Sequence, residues 1–587
     1  MCRIFGGVTD SVIARDRLSR ASHLMLGGGP DQQWVLQNQN WAVGTNRLAI
    51  QGIDGGEQPF RSQNRVCVFN GEIYNHRELR AQLIGNDHNF TDACDGNVIL
   101  PLFQEYGPTF VQHLEGMFAL AILELDSNGN CASVFMAADQ SAMKTLFYVA
   151  HETGLYFASS LKGLQALVPD RFTLRDGFVH EYVSRKAVWG PNTVFEDVYV
   201  LGAGETLRYD VKSKTHQCAM FRHSFAPLPV ETLDDAADQF DQLMHAEISR
   251  MVDMDVGFCS VLSGGLDSSY ITSIVKKHKD QLDAFHIGYE DNWPGDESQY
   301  ARMVAEALDV KLHHIKVDVA KLPDYISEYV QHLDQPNFAP HCLSTYLLFK
   351  EISHAGYKVA ITGEGADELF CGYGRLIQAA TSKDENWFEN FYSIYGVAPF
   401  QNGAYFNDEY LERIKVPETV QYLVNSPSIS RAQSVLQFDT EKRFPYYILR
   451  RVDSLSMANS VEVRMPFLQP RMIDYARKLP DNMLFAGNVG KQCVLRAGEK
   501  VLPHAVVHRK KQPFTFPIQA IMAQTKSVRD YVFDTVFSQN AIVGDYFDMK
   551  RIGQFKSKDL DKSQTSVLWA LLVLQQWHDA NLGAKAE

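Results

Sequence analysis

Val256-Gly257-Phe258-Cys259-Ser260-Val261-Leu262 runs directly into Ser263-Gly264-Gly265-Leu266-Asp267-Ser268-Ser269. The first seven residues are a continuous apolar run of the length a buried strand takes, and the next seven read as a glycine turn opening a helix. Strand, glycine turn and helix start make an anion cradle. Backbone N–H groups close around phosphate oxygens, the hydroxyls of Ser263, Ser268 and Ser269 add donors, and the positive helix end faces the ligand. The run lacks the Gly-Lys-Ser/Thr ending of a Walker loop and the spacing of a dinucleotide fingerprint. A plain serine-glycine turn accounts for Ser-Gly-Gly but not for all seven residues. Downstream, strands expected over 283–288, 311–317 and 358–362 alternate with helices over 296–308, 321–333 and 343–355. That alternation predicts a parallel, doubly wound sheet with its ligand at the C-terminal strand ends. One such end carries Thr362-Gly363-Glu364-Gly365-Ala366-Asp367-Glu368-Leu369-Phe370, three acids on a glycine-rich turn. Carboxylates there can hold Mg²⁺ against phosphates or act as a general base; a solvated acidic helix start is the plainer alternative.

Working back toward the N-terminus, Leu233, Ala237, Phe240, Met244, Ile248 and Met251 recur at spacings of three and four, which predicts one amphipathic helix ahead of the cradle. Before it, Lys212-Ser213-Lys214 and Ala226-Pro227-Leu228-Pro229 break the periodicity. The expected organisation is a first domain over 1–205, a linker over 206–230 and a second domain over 231–587. The first domain alternates like half-buried strands over 65–69, 117–125 and 131–138, with helical stretches over 75–84 and 97–106, as a layered α/β sandwich would. Met1 precedes Cys2, and a small penultimate residue lets methionine aminopeptidase leave Cys2 as the mature terminus. Its α-amine, with a reference pKa of roughly 7.7 to 8.0, could then take the proton of its own thiol. The strand Val66-Cys67-Val68-Phe69 runs into Asn70-Gly71-Glu72-Ile73-Tyr74-Asn75. An Asn side-chain amide and the N–H of a following Gly are a pair able to stabilise an oxyanion, although Asn-Gly alone marks an ordinary turn.

With 587 residues the chain exceeds what one core holds, so two or more domains are expected. A formal charge of −14 argues against a nucleic-acid groove or an anionic membrane surface as main partner and favours small polar substrates. Nine cysteines, without metal-ligand spacing and several in apolar runs, read as reduced thiols of a cytosolic protein. No apolar run approaches the roughly 18 residues that span a bilayer, and no signal-peptide core is visible.

Met-Cys-Arg-Ile-Phe-Gly-Gly at 1–7, Arg47-Leu48-Ala49-Ile50, Gly56-Glu57-Gln58-Pro59 and the 70–75 run resemble the class II glutamine amidotransferase domain, as do Glu115-Gly116-Met117-Phe118-Ala119 and Phe157-Ala158-Ser159. The resemblance implies an N-terminal nucleophile (Ntn) hydrolase, an αββα sandwich in which Cys2 attacks the carboxamide of glutamine and Asn70 and Gly71 form the oxyanion hole. It also implies Arg47 on the α-carboxylate, Glu72 and Asp95 on the α-ammonium, and backbone from Leu48, Ala49, Ile50 and Gln51 lining the pocket. A zwitterion needs fixed charges of both signs at opposite edges of its pocket, which agrees. The chain departs from the family at Gly27-Gly28-Gly29-Pro30-Asp31, where His-Arg-Gly-Pro-Asp is usual, at Ala138-Asp139, where Arg-Asp is usual, and at Ser160, where Glu is usual. None of these removes the nucleophile or an oxyanion donor; the change at Gly28 bears on the efficiency of glutamine binding.

The cradle paired with the acidic turn resembles the pyrophosphatase-type ATP site (PP-loop) of glutamine-hydrolysing asparagine synthetases, in the same two-domain order. Ser456-Met457-Ala458-Asn459-Ser460-Val461-Glu462-Val463-Arg464-Met465-Pro466-Phe467-Leu468, Gly490-Lys491 and Arg509-Lys510-Lys511-Gln512 extend the likeness over nearly the whole chain. What it implies is amidation through an acyl-adenylate, with ATP as co-substrate. Asp267 and Asp367 would hold Mg²⁺, and Ser263, Gly264, Gly265, Asp267, Ser268 and Ser269 the pyrophosphate. Leu262, Ile287, Thr362 and Gly363 would contact the nucleotide, Lys491 would neutralise transition-state charge, and Glu364 would deprotonate the attacking ammonia. A helical C-terminal part is expected to pack around this site, and a homodimer is common in the family. Aspartate is the leading acceptor. Yet Asp334-Gln335-Pro336-Asn337-Phe338-Ala339-Pro340-His341 stands where one well-known type carries Thr-Thr-x-Arg, so another carboxylate stays open. Two further alternatives are an intramolecular adenylating cyclase, which typically lacks a working Cys nucleophile, and a non-catalytic metabolite sensor. Intact Cys2, Asn70 and Asp95 speak against the cyclase.

Overall fold

Adjacent residues of the N-terminal strands bury on opposite faces, and this sets the architecture of the first domain. In the computed structural model, which describes residues 2–168, 170, 172–226, 229–289, 296–384, 387–393, 403–414, 429–509, 516–557 and 559–583, two six-stranded antiparallel sheets stack face to face. Met1, Pro227, Leu228 and the 510–512 part of the basic motif lie outside the described residues. The strands are β1 (Cys2–Thr9), β2 (Gln32–Gln37), β3 (Trp41–Arg47), β4 (Phe60–Ser62), β5 (Arg65–Ile73), β6 (Gly116–Leu125), β7 (Cys131–Ala138), β8 (Phe147–His151), β9 (Gly154–Ala158), β10 (Tyr199–Val200), β11 (Glu205–Asp210) and β12 (Thr215–Met220). They run in the orders β10-β8-β9-β1-β3-β2 and β12-β11-β7-β6-β5-β4. Ile4, Val43, Val68, Ala121 and Met136 fill the space between the sheets. Their neighbours Phe5 and Ala42 pack outward against helices Arg15–Leu24 and Leu161–Leu167. On the other side Cys67, Phe69 and Leu120 pack against helices His76–Gly85 and Ile99–Tyr106. Period-two alternation is therefore apolar on both faces, which yields the expected αββα layering. Each large side chain so buried contributes roughly 1.5 to 3 kcal/mol.

The expected linker over 206–230 is corrected by the strand pairing. β11 pairs with β7 and with β12, so the first sheet system runs to Met220. β12 is an edge strand exposed along its whole length, so no apolar alternation marks it, and Lys212-Ser213-Lys214 lies in its hairpin turn.

The second domain opens on helix Leu233–Met251, started by a Thr232/Asp235 capping box and burying Ala237, Phe240, Met244, Ile248 and Met251. A five-stranded parallel sheet follows, built from β13 (Phe258–Val261), β14 (Asp283–Tyr289), β15 (Lys311–Val317), β16 (Val359–Ile361) and β17 (Glu462–Arg464) in the order β15-β14-β13-β16-β17. The chain leaves β13 toward β15, then returns to the other side of β13. The crevice beyond β13 and β16 is thus the switch point where doubly wound sheets bind ligands. Helix Lys562–Asn581 closes the far side, its Trp569 and Trp577 indoles donating to the carbonyls of Phe338 and Leu333 at 3.1 Å each. Among the described residues no helix is long and apolar enough to cross a membrane.

Candidate active sites at two strand ends

In the first domain, antiparallel pairing sets Cys2 at the start of β1 directly opposite Arg47 at the end of β3. Asn70 and Gly71 lie near the end of β5 on the facing sheet, and the Asn70 Oδ1 accepts from the Cys2 N–H at 3.2 Å. The Asn70 Nδ2 is buried with no hydrogen-bond partner among the described residues, a donor left for something not yet there. Gly71 is forced by packing, since a Cβ there would sit 2.1 Å from the Met117 carbonyl oxygen. On the expectation that Asn70 and Gly71 form an oxyanion hole for glutamine, Gly71→Ala should displace the backbone beside Asn70 and lower glutamine hydrolysis on the order of 100-fold. Glutamate release from glutamine measures this, and near-normal release would separate Gly71 from the oxyanion site.

Burial raises the Cys2 thiol pKa, opposed by the charge of Arg47. Gln58, quoted in the sequence motif without a role, is in contact with the sulfur: its Nε2 lies 3.4 Å from Sγ while also donating to the Phe69 carbonyl at 2.9 Å. Arg47 spends three of its five N–H donors on Gln32 Oε1 (2.9 Å), the Gln51 carbonyl (3.1 Å) and the Gly52 carbonyl (2.8 Å), and so is rigidly aimed. Asp95 accepts from the Ile73 N–H at 2.8 Å. Burial, then the charge of Asp95, pushes the Glu72 carboxyl well above its ordinary range. Two buried carboxylates that repel each other suit an ammonium guest. Glu72 differs from expectation in one respect, because it already holds an ion pair at 3.3 Å with Arg464 of the second domain. Of the pocket backbone, the Ala49 N–H is bonded to Asp31 (2.7 Å), the Ile50 carbonyl accepts from Asp255 N–H (3.2 Å) and the Gln51 carbonyl accepts from Arg47. The glycine at 28 has a local cause: a Cβ there would meet the Arg3 side chain at 2.6 Å. Arg3 crosses this space to pair at 2.7 Å with buried Asp453, which Lys144 also binds at 3.1 Å.

In the second domain the Ser263–Ser269 turn caps β13. Gly264 has φ +77°, and a Cβ there would meet the Ala301 N at 2.4 Å, so only glycine fits. Ser263 and Ser268 brace the turn through hydroxyls 2.9 Å apart, while the Ser269 hydroxyl and the Thr362 hydroxyl are buried without a hydrogen-bond partner among the described residues. Helix Leu266–Lys276 has no side-chain cap at its start, leaving its first N–H groups for a ligand. The acidic turn meets this loop closely, a Cβ on Gly363 falling 3.0 Å from the Ser268 N. Lys491 Nζ joins the two, 2.5 Å from Asp267 and 2.6 Å from Asp367. Burial raises the Glu364 carboxyl pKa, with Arg451 opposing and Asp267 adding to it, which suits a proton acceptor. Leu262 and Ile287 are buried, and the Leu262 carbonyl is bonded to His286 at 3.0 Å.

Three residues that sequence reasoning left without a role enter here. Arg509 stands 3.5 Å from where a Gly265 Cβ would be and is held by Glu297 at 2.5 Å. Arg451 is buried, its charge opposes the rise of the Glu364 pKa, and its Nε and Nη1 have no hydrogen-bond partner among the described residues. Arg464, wholly buried, touches both sites: its guanidinium pairs with Glu72 and with Glu462 (2.6 Å), and its carbonyl accepts from the Thr362 N–H at 3.0 Å.

Comparison with known proteins follows these two sites. A glutamine amidotransferase domain profile matches residues 1–221. Asparagine synthetase [glutamine-hydrolyzing] 1 of Bacillus subtilis (strain 168) is 26% identical over 96% of this chain and 94% of its own. A putative asparagine synthetase [glutamine-hydrolyzing] of Mycobacterium tuberculosis (strain ATCC 25618 / H37Rv) is 29% identical over 96% and 94%, and asparagine synthetase B [glutamine-hydrolyzing] of Escherichia coli (strain K12) 27% over 88% and 82%. The asparagine synthase profile matches residues 239–579, more than half of the 587, and the chain belongs to the asparagine synthase family.

Proposed function

We propose that this protein is a glutamine-dependent asparagine synthetase that frees ammonia at Cys2 and spends it on an aspartyl adenylate made at the switch point. The observation that carries the reading is the coexistence of two incomplete sites in one chain. An orphan amide donor stands beside a buried cysteine, and a phosphate loop with a carboxylate pair is clamped by Lys491.

In the first site, removal of Met1 would put the α-amine on Cys2 itself, where it takes the thiol proton. The thiolate adds to the carboxamide carbon of glutamine, Asn70 Nδ2 and the Gly71 N–H hold the oxyanion, and ammonia leaves with the amine's proton. Water then cleaves the thioester to glutamate. Arg47 grips the α-carboxylate, and Asp95 and Glu72 the α-ammonium.

In the second site the acceptor carboxylate attacks the α-phosphorus of ATP and pyrophosphate departs. Ser263, Ser268, Ser269 and the helix start receive the phosphates, with Lys491 neutralising charge. The Asp267 Oδ1, buried without a hydrogen bond among the described residues, and the nearby Asp367 carboxylate fit a hard cation, and these two residues would hold Mg²⁺, which would supply charge neutralisation to the phosphates. Ammonia adds to the acyl carbon, Glu364 takes a proton from it, and AMP leaves.

Pyrophosphate release with ATP, ammonium and a panel of carboxylic acids tests the reading. The expected outcome is release with aspartate, one asparagine forming per pyrophosphate. Release with another acid and none with aspartate would transfer the same chemistry to that acid, an outcome favoured by the Asp334–His341 segment standing where Thr-Thr-x-Arg is usual.

A further inference from the structure

The nucleophile of the first site stands at a chain end, where backbone pairing alone holds it on one side. β1 pairs with β3 from Cys2 onward, but its other neighbour, β9, reaches only as far as Phe5. Terminal residues paired in this way fray unless tied down. Once Met1 is removed, the residue after the nucleophile is Arg3. Cys2 and Ile4 face the space between the sheets, so strand alternation points Arg3 the other way, out of the sandwich. There its guanidinium meets the second domain. Nη1 donates to Asp453 Oδ2 at 2.7 Å and Nη2 to the Asp453 carbonyl at 3.4 Å, on helix Arg450–Met457. Lys144 of the first domain donates to the other carboxylate oxygen at 3.1 Å. All three side chains are more than nine-tenths buried. An exposed pair would fix little, but here neither partner can turn to water.

Two cations share one anion, which decides what each substitution does. Loss of Asp453 strands two buried positive charges, whereas loss of Arg3 leaves Lys144 and Asp453 as a balanced pair. The arginine usual at position 28 in the family bears on the same space. A Cβ on Gly28 would lie 2.6 Å from the Arg3 Cγ and 2.7 Å from its Nε, so side chains from the two positions exclude each other. Gly28 is not at positive φ, and its backbone would accept a side chain if Arg3 were gone.

We propose that Arg3 is a positioning residue for Cys2: anchored on Asp453, it fixes the terminal amine and thiol at the glutamine pocket, from position 3 in place of an arginine at position 28. The inference rests on the proposed glutaminase reaction. Arg3 acts through the backbone of its neighbour, where a shift of about 1 Å can cost roughly 100-fold in rate.

The test follows glutamate release and amide formation in the full-length chain, with mass spectrometry to show that Met1 is gone. Arg3→Met should lower kcat for glutamine hydrolysis on the order of 100-fold, with KM within about threefold and amidation from ammonium within about twofold of the parent. Arg3→Lys, which keeps the charge but gives up the fork, should recover to within about tenfold of the parent. Amide formed per glutamate released should stay at the parent's value. A residue that only docks the domains would behave in reverse, sparing hydrolysis and lowering that ratio. Arg3→Ala and Gly28→Arg should each be impaired, and the double variant should hydrolyse glutamine faster than either, because a guanidinium then reaches Asp453 from position 28. A folded, processed Arg3→Met with the parent's hydrolysis rate would overturn the inference. So would preserved hydrolysis with a fallen ratio, or a joint failure of Arg3→Lys and the double variant to improve on Arg3→Met. No glutamate release by the processed parent would instead bring down the proposed glutaminase, and the inference with it.

Discussion

Cys2→Ala should abolish glutamine-dependent amide formation, by a factor on the order of 10⁴ or more, and leave the rate with ammonium within about twofold of the parent. The size follows from what the substitution removes. Asn70, Gly71 and Arg47 would still bind glutamine, but no group in reach can open the amide, and Gln58 Nε2, 3.4 Å from Sγ, has no basic lone pair to offer. The sparing of ammonium chemistry follows from separation. Cys2 sits at the sandwich end of the molecule, whereas Asp267, Glu364 and Lys491 gather at the parallel-sheet switch point with their own set of partners. Assays are glutamate release, product formation with each nitrogen source, and mass spectrometry to establish that Met1 is gone. Loss of both activities in a folded, processed variant would contradict two separate sites. The strands tie the sites mechanically, however. Arg464 holds Glu72 on one side and the Thr362 N–H on the other, so binding at one end can be felt at the other through a single buried residue.

Arg464 also illustrates what could and could not be read from residue order. Where a signal repeats, the reading held: the helix Leu233–Met251, the alternation of β5 and β6 and the strand-helix succession after Phe258 all appear, with ends shifted by at most four residues, the largest at β5, which continues through Asn70-Gly71 to Ile73. The cradle and the acidic turn were legible because glycines must stand where backbone crowds a ligand or another loop, as Gly264 does against Ala301. Buried charge was not legible. Arg451, Arg464 and Asp453 lie in polar-looking stretches, and periodicity arguments send such residues to solvent. They are interior because long-range partners, or the lack of them, come from elements hundreds of positions away, as with Arg3 on Asp453. The Glu205–Met220 hairpin escaped for the opposite reason: an exposed edge strand carries the composition of a linker.

Lys491→Met should lower pyrophosphate release on the order of 10³-fold with either nitrogen source, while glutaminase turnover stays within a few-fold of the parent. Lys491 is 6% exposed at its side chain and lies within 2.6 Å of two carboxylates, each about four-fifths buried. In the enzyme without nucleotide it balances Asp267 and Asp367. When phosphates enter, the same ammonium can turn to them, and Asp267 and Asp367 would then hold Mg²⁺, which would supply charge neutralisation there. Methionine preserves the stem but deletes that exchange. The variant should also lose about 3 kcal/mol of stability, since breaking a buried pair leaves repelling anions behind. That loss makes a second readout available. Mg²⁺ alone should raise the melting temperature of Lys491→Met by several degrees and the parent by less, because only the variant lacks the Lys491 ammonium that competes with the cation at these two carboxylates. Equal Mg²⁺ shifts in the two proteins would remove Asp267 and Asp367 as a metal pair. Undiminished pyrophosphate release would remove Lys491 from the reaction.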